Sequence, residues 1–176
     1  MKKAIYRFDS IVGNKVTQLP DAWHPVMEFF TLIGQPPFTV GIAAAILGYG
    51  FALDKPFYMV SGAIAITTIV LSSLIKLFAR RKRPVTEYVK GMLFKTYSFP
   101  SGHAAGALVS YGLAAIVVSV RWPEYAVVGW VVALLVTLFV SLSRVYLGAH
   151  YASDIIGGWV VGGIGLVLIL VEFAQR

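Results

Sequence analysis

Apolar residues in this chain gather into five runs, at approximately 38–53, 57–78, 101–120, 125–143 and 154–174. Most approach the roughly 20 residues that carry a helix across a hydrocarbon core. The first run is the shortest and has the least distinct ends. A backbone inside a bilayer must satisfy its own hydrogen bonds, so all five are predicted to be helices. Ahead of them, Ile5, Phe8, Val12, Val16 and Leu19 recur at three- and four-residue spacing, with Arg7, Asn14 and Lys15 as polar interruptions. That stripe predicts a helix lying in the membrane interface. An amphipathic helix packed on the rest of the chain has the same pattern. Residues 1–37 are expected to be an interfacial segment and 38–176 a transmembrane bundle, together one all-α domain with about five spans. Met1, Lys2 and Lys3 are followed by no apolar core of a signal peptide.

Composition supports the membrane reading. Of 176 residues, 58% are hydrophobic and 13% charged, and mean hydropathy is +0.78. Soluble domains carry about 25% charged residues. With no cysteine, disulfides, thiol nucleophiles and thiolate metal sites are excluded. The formal net charge of +7 calls for an anionic partner such as membrane lipid or a phosphate ester. Because the basic residues gather at the ends of apolar runs, nucleic acid is not expected. Gly106, Gly158 and Gly162 are best explained as close-packing positions between membrane helices.

Three polar clusters flank the runs. Lys76 and Arg83 bracket a basic stretch closed by Pro84. Seven residues apart on a helix, they share a face with a separation of about 10 Å, and Pro84 is expected to end the helix there. A basic stop-transfer cluster has the same composition. Pro100-Ser101-Gly102-His103 opens the third run. A proline in the first turn would leave the amides of Ser101, Gly102 and His103 free for an anion, with a histidine beside it able to move a proton. An ordinary helix start reads the same way. In the third cluster, His150 and Asp154 are four apart, hence neighbours on a helical face, and Arg144 offers a planar fork for phosphate oxygens. The carboxylate can fix the imidazole tautomer and leave its other nitrogen nucleophilic. A structural His–Asp pair is the bland alternative. The predicted connectivity returns all three clusters to one face of the membrane.

Together these segments resemble the tripartite signature of the type-2 phosphatidic acid phosphatase (lipid phosphate phosphatase) superfamily: Lys, six residues, Arg-Pro; Pro-Ser-Gly-His; and Ser-Arg, five residues, His, three residues, Asp. Every position is present between Lys76 and Asp154. The resemblance implies that His150 attacks phosphorus, that Asp154 orients it, and that His103 acts first as acid and then as base. It implies that Lys76, Arg83, Arg144, Ser101 and Gly102 hold the phosphate oxygens. No metal and no other cofactor is expected, since cationic side chains take a metal's role. Better-known bacterial members have six spans, one of them ahead of the interfacial segment, and this chain is expected to lack it.

The expected substrate is a lipid monophosphate or prenyl diphosphate, with membrane lipids as the surroundings. The pattern specifies neither one substrate nor an oligomeric state. A phosphotransferase using the same histidines and a non-catalytic lipid-phosphate binder are the rival functions. Tyr88, Phe94, Tyr97 and Phe99 are candidates to line an entrance, though interfacial aromatics explain them equally well. Of the fifteen Lys and Arg residues, only Lys55, Arg121 and Arg176 fall on the face opposite the signature. This bias favours a cytoplasmic site, whereas the resemblance favours the outer face.

Overall fold

Prolines open several of the apolar helices, where a missing N–H costs nothing. In the computed structural model, which describes residues 2–92 and 96–175, α1 spans Lys2–Thr17, α2 His24–Ile33, α3 Pro36–Ala52 and α4 Pro56–Ala79. The short α5 spans Glu87–Lys90, followed by α6 Gly102–Arg121, α7 Ala126–Tyr146 and α8 Ala152–Ala174. Prolines lie at the first or second position of α2, α3 and α4. Met1, Phe94 and Arg176, named above, lie outside the described residues.

Helices α4, α6, α8 and α7 with its preceding turn are each long and apolar enough to cross a membrane. Helix α3 has 17 residues and is therefore about 25 Å long, short of the ~30 Å hydrocarbon core. Together with the 21–33 segment, from which it is bent by 41°, it is long and apolar enough to cross. Among the described residues the chain thus has four such helices, and a fifth span only if this bent pair crosses as one.

Residues 1–37, expected as an interfacial segment, include a helix packed on the bundle, with α2 against α7. Its Met27 and Thr31 are buried, and Phe30 stacks on Phe139 with ring centroids 4.7 Å apart. Helix α1 packs on α7 and α8. Its stripe is half covered: Phe8, Val12 and Val16 line an apolar groove with Val145 and Trp159, while Ile5 and Phe8 remain partly exposed.

Helix α6 packs against α3, α4, α7 and α8. Its Val109, Leu113 and Ile116 join Ala43, Ala65, Ile69 and Ile169 in the buried core. Small residues allow these approaches. A Cβ on Gly158 would lie 2.6 Å from Ser101 O, one on Gly162 2.6 Å from Ala105 O, and one on Gly106 3.0 Å from Thr39 Oγ1. Outward positions such as Val127, Leu134, Val160 and Ile164 stay exposed, as lipid-facing apolar side chains should.

Candidate phosphate-binding active site

Helix α4 already holds 24 residues, about 36 Å, more than a hydrocarbon core requires. It ends at Ala79 with Arg80 in the left-handed region (φ 47°), before the expected stop at Arg83. The following residues run irregularly, tied to the segment before α6 by Ser98 N donating to Arg81 O at 2.8 Å and Ser98 Oγ to Lys82 O at 3.2 Å. Lys76 and Arg83 therefore do not share a helical face. Lys76 reaches the site from α4 and Arg83 from the loop. Leaving the helix early frees the run 80–83 to find polar partners that a continued helix would have pointed into water.

A second departure concerns Pro100. It precedes the helix, behind a cis Phe99–Pro100 bond, and Ser101 is the N-cap, with its Oγ accepting from Ala104 N at 3.4 Å. The Ser101 amide is not free, since it donates to Asp154 O at 2.9 Å. Gly102 and His103 are the first-turn amides that have no carbonyl four residues back inside the helix. A Cβ on Gly102 would sit 3.9 Å from Lys76 Cε, so any longer side chain there would stand over the lysine.

The third departure is the setting of His150 and Asp154. His150 lies in the turn between α7 and α8, not on a helix. Gly148 makes that turn possible with φ +65°, and the amides of Ala149 and His150 fold back onto Arg144 O at 3.0 and 3.1 Å. Asp154 is the third residue of α8, and its Oδ2 accepts from Tyr151 N at 3.0 Å in a capping box. The two side chains still meet, with His150 Nδ1 3.4 Å from Asp154 Oδ2.

The signature side chains converge. Arg83 Nη1 donates to Ala149 O at 3.0 Å and lies 3.2 Å from His150 Nε2. Its Nε donates to Thr96 O at 2.8 Å. Lys76 Nζ donates to the carbonyls of Tyr97, Ser98 and Pro100. Arg144, 1% exposed, donates through Nη1 to Thr31 Oγ1 at 3.0 Å and Tyr88 OH at 3.1 Å, while its buried Nε has no hydrogen-bond partner among the described residues. His103 has the cations Arg144, Lys76 and Arg83 as neighbours, together with the His150 imidazole. Burial first, then Arg144, Arg83 and Lys76, hold the His150 imidazole well below the usual histidine pKa. It is neutral at pH 7, as a nucleophile must be.

Several contributors escaped the sequence reading. Thr31 comes from the segment expected to be interfacial. Tyr88, expected at an entrance, instead supports Arg144, over which its ring lies at 5.4 Å. Phe99 packs beside Gly157, and Tyr97 lines a cavity of about 690 Å³ with Lys76, Leu77, Arg83, Val85 and Val89. Arg81 and Asp9 contact Asp154 and Ser153. The charge run carries no signal that sets Arg81 apart from its neighbours, and Asp9 was not singled out.

A profile of the PAP2 superfamily matches residues 57–176. Over 167 residues the chain is 25% identical to phosphatidylglycerophosphatase B of Bacillus subtilis, covering 90% of this chain and 80% of that one. It is 39% identical over 66 residues to an undecaprenyl-diphosphatase of Sulfolobus acidocaldarius, covering 38% and 29%. Its fold resembles the crystal structure of a transmembrane PAP2-type phosphatidylglycerolphosphate phosphatase from Bacillus subtilis, with a TM-score of 0.84, 23% identity, and coverage of 98% and 87%. The family match spans helices α4 to α8 and every signature residue that meets around His150, and the chain belongs to the PAP2 superfamily.

Proposed function

We propose that this protein hydrolyses a phosphate monoester or diphosphate of a membrane lipid through a phosphohistidine at His150. The observation that carries this reading is the position of His150. Its Nδ1 faces the Asp154 carboxylate, and its Nε2 points at Arg83 within a group of cations that also includes Lys76 and Arg144. Arg83 beside Nε2 is a donor to a phosphate oxygen at the point of attack.

In the first step Nε2 forms a bond to phosphorus as the P–O bond to the lipid breaks. The departing electron pair stays on the lipid oxygen, which takes a proton from His103 in its imidazolium form. The imidazole becomes cationic at that moment, and Asp154 stabilises it through Nδ1–H. In the second step His103 accepts a proton from water while the water oxygen attacks phosphorus. The P–N bond breaks, and inorganic phosphate leaves. Lys76, Arg83, Arg144 and the first-turn amides of Gly102 and His103 hold the oxygens as charge shifts. The chemistry of these donors suits metal-independent phosphoryl transfer.

The cavity that includes Lys76 and Arg83 has apolar walls at Leu77, Val85 and Val89, and Val85 is 90% exposed. A cationic floor with an apolar rim suits a phosphate carried on a lipid. Phosphate release from a panel of phosphatidate, phosphatidylglycerol phosphate and prenyl diphosphates, with and without chelator, tests the reading. Release that persists in chelator and is blocked by orthovanadate is expected. Strict dependence on magnesium would contradict it. Transfer of the phosphorus group to an added alcohol, in place of release, would favour a transferase.

A further inference from the structure

Asp9 sits on an amphipathic helix whose polar residues should face water, yet it is 4% exposed. Burying a carboxylate is strongly unfavourable unless it is well paired. All its partners come from the far side of the chain. Oδ1 accepts from Ser153 N at 2.8 Å, and Oδ2 accepts from Ser153 Oγ at 2.9 Å and Arg81 Nη2 at 2.6 Å. Arg81 uses its other terminal nitrogen on Ser153 Oγ at 2.7 Å and Asp154 Oδ1 at 2.6 Å. Its guanidinium lies 4.3 Å from the centre of the Tyr151 ring.

Each oxygen of Asp154 is thus committed. Oδ1 is fixed by Arg81, and Oδ2 by the Tyr151 amide on the side that faces His150 Nδ1. Arg81 lies between the signature residues Lys76 and Arg83 but is not one of them, and Asp9 lies outside the segment matched by the family profile. A planar fork between two carboxylates sets the orientation of both, which a lysine could not do.

Resting on the phosphatase reading, we propose that Asp9 and Arg81 are positioning residues. Arg81, held by Asp9 and Ser153, fixes the Asp154 carboxylate that orients His150, and α1 is thereby part of the catalytic apparatus. The charge on Asp9 matters as much as its shape. With two carboxylates to satisfy, the Arg81 cation leaves Asp154 free to support the imidazolium that forms during attack. With Asp9 neutral, Arg81 draws on Asp154 alone, and the cationic imidazole loses support. Neither Asp9 nor Arg81 bonds any of the three phosphate-facing cations, so substrate binding should be little affected.

The test compares purified full-length wild type with Asp9→Asn, Asp9→Glu and Ser153→Ala, using dioleoyl phosphatidate in detergent micelles as probe. Asp9→Asn is expected to lose about 10- to 100-fold in kcat, as small misplacements of reacting groups do, with KM within about twofold of wild type. Asp9→Glu should recover part of the loss, and Ser153→Ala should show a smaller fall of the same kind. Wild-type kcat in Asp9→Asn, or a loss confined to KM, would overturn the proposal and leave the phosphatase reading standing. A wild type inactive on every lipid phosphate would reject that reading instead. The linkage is then decided without turnover, by a double-mutant cycle of Asp9→Asn and Asp154→Asn on the thermal unfolding midpoint. Non-additive shifts are expected, and additive ones would overturn the linkage.

Discussion

At the residue scale the chemistry depends on an imidazole kept neutral among cations. His150 is buried and faces Arg144, Arg83 and Lys76, and all of these oppose its protonation. Its acid form should therefore appear only well below the ordinary value of about 6.5. Activity should hold as pH falls through 6.5 towards the depressed native value, and be lost below it. A pH–kcat profile with its acid limb at or above pH 7 would contradict this. Asp154→Asn keeps the shape of the side chain but removes the charge behind Nδ1. A loss of about 100-fold or more in kcat is expected, by analogy with other oriented imidazoles, and near-normal turnover would reject the orienting role. Replacing His103 with Ala should slow both steps unless the leaving group needs no proton, as with p-nitrophenolate. In that case phosphoenzyme should accumulate, and rapid acid-free quenching would show it.

At the element scale, close packing holds the α6 N-terminus against the α8 N-terminus. Gly158 meets Ser101 O and Ala104 Cβ, and Gly162 meets Ala105. A Gly158→Val substitution should push the two helices apart, costing about 1–3 kcal/mol of overpacking. It should also break the Ser101 N to Asp154 O bond, lowering both the unfolding midpoint and kcat. An unchanged midpoint would mean the helices are not held as described. The long apolar runs made α4, α6, α7 and α8 legible in the sequence, because each buries enough apolar surface to be read without its neighbours. Where helices end was less legible. Pro84 seemed the natural stop for α4, but Arg80 takes the left-handed cap because Arg81 has two buried carboxylates to reach. The apolar runs do not mark α2, because it carries Glu28 and Thr31 among its apolar residues, and among the described residues Thr31 meets Ser143 and Arg144.

At the scale of the molecule, the helix order brings the ends of α4 and α7 and the starts of α6 and α8 to one face, as the signature spacing required. The roles assigned to His103, His150 and Asp154 follow from motif and connectivity, whereas Asp9 and Arg81 emerged only when α1 was placed. A single buried carboxylate on a mostly exposed helix leaves no periodic trace. Positive residues on the site face favour the cytoplasm. Reporter fusions at Met1 and Arg176 should place the N-terminus inside and the C-terminus outside, and an external N-terminus would reverse the assignment. In the proposed mechanism phosphorus passes covalently through His150. Rapid quenching of the protein with a phosphorus-labelled lipid phosphate, followed by mapping of the label, tests it most directly. An acid-labile, base-stable phosphate on His150, absent from His150→Ala, is the predicted result. Full phosphate release by His150→Ala would contradict the account.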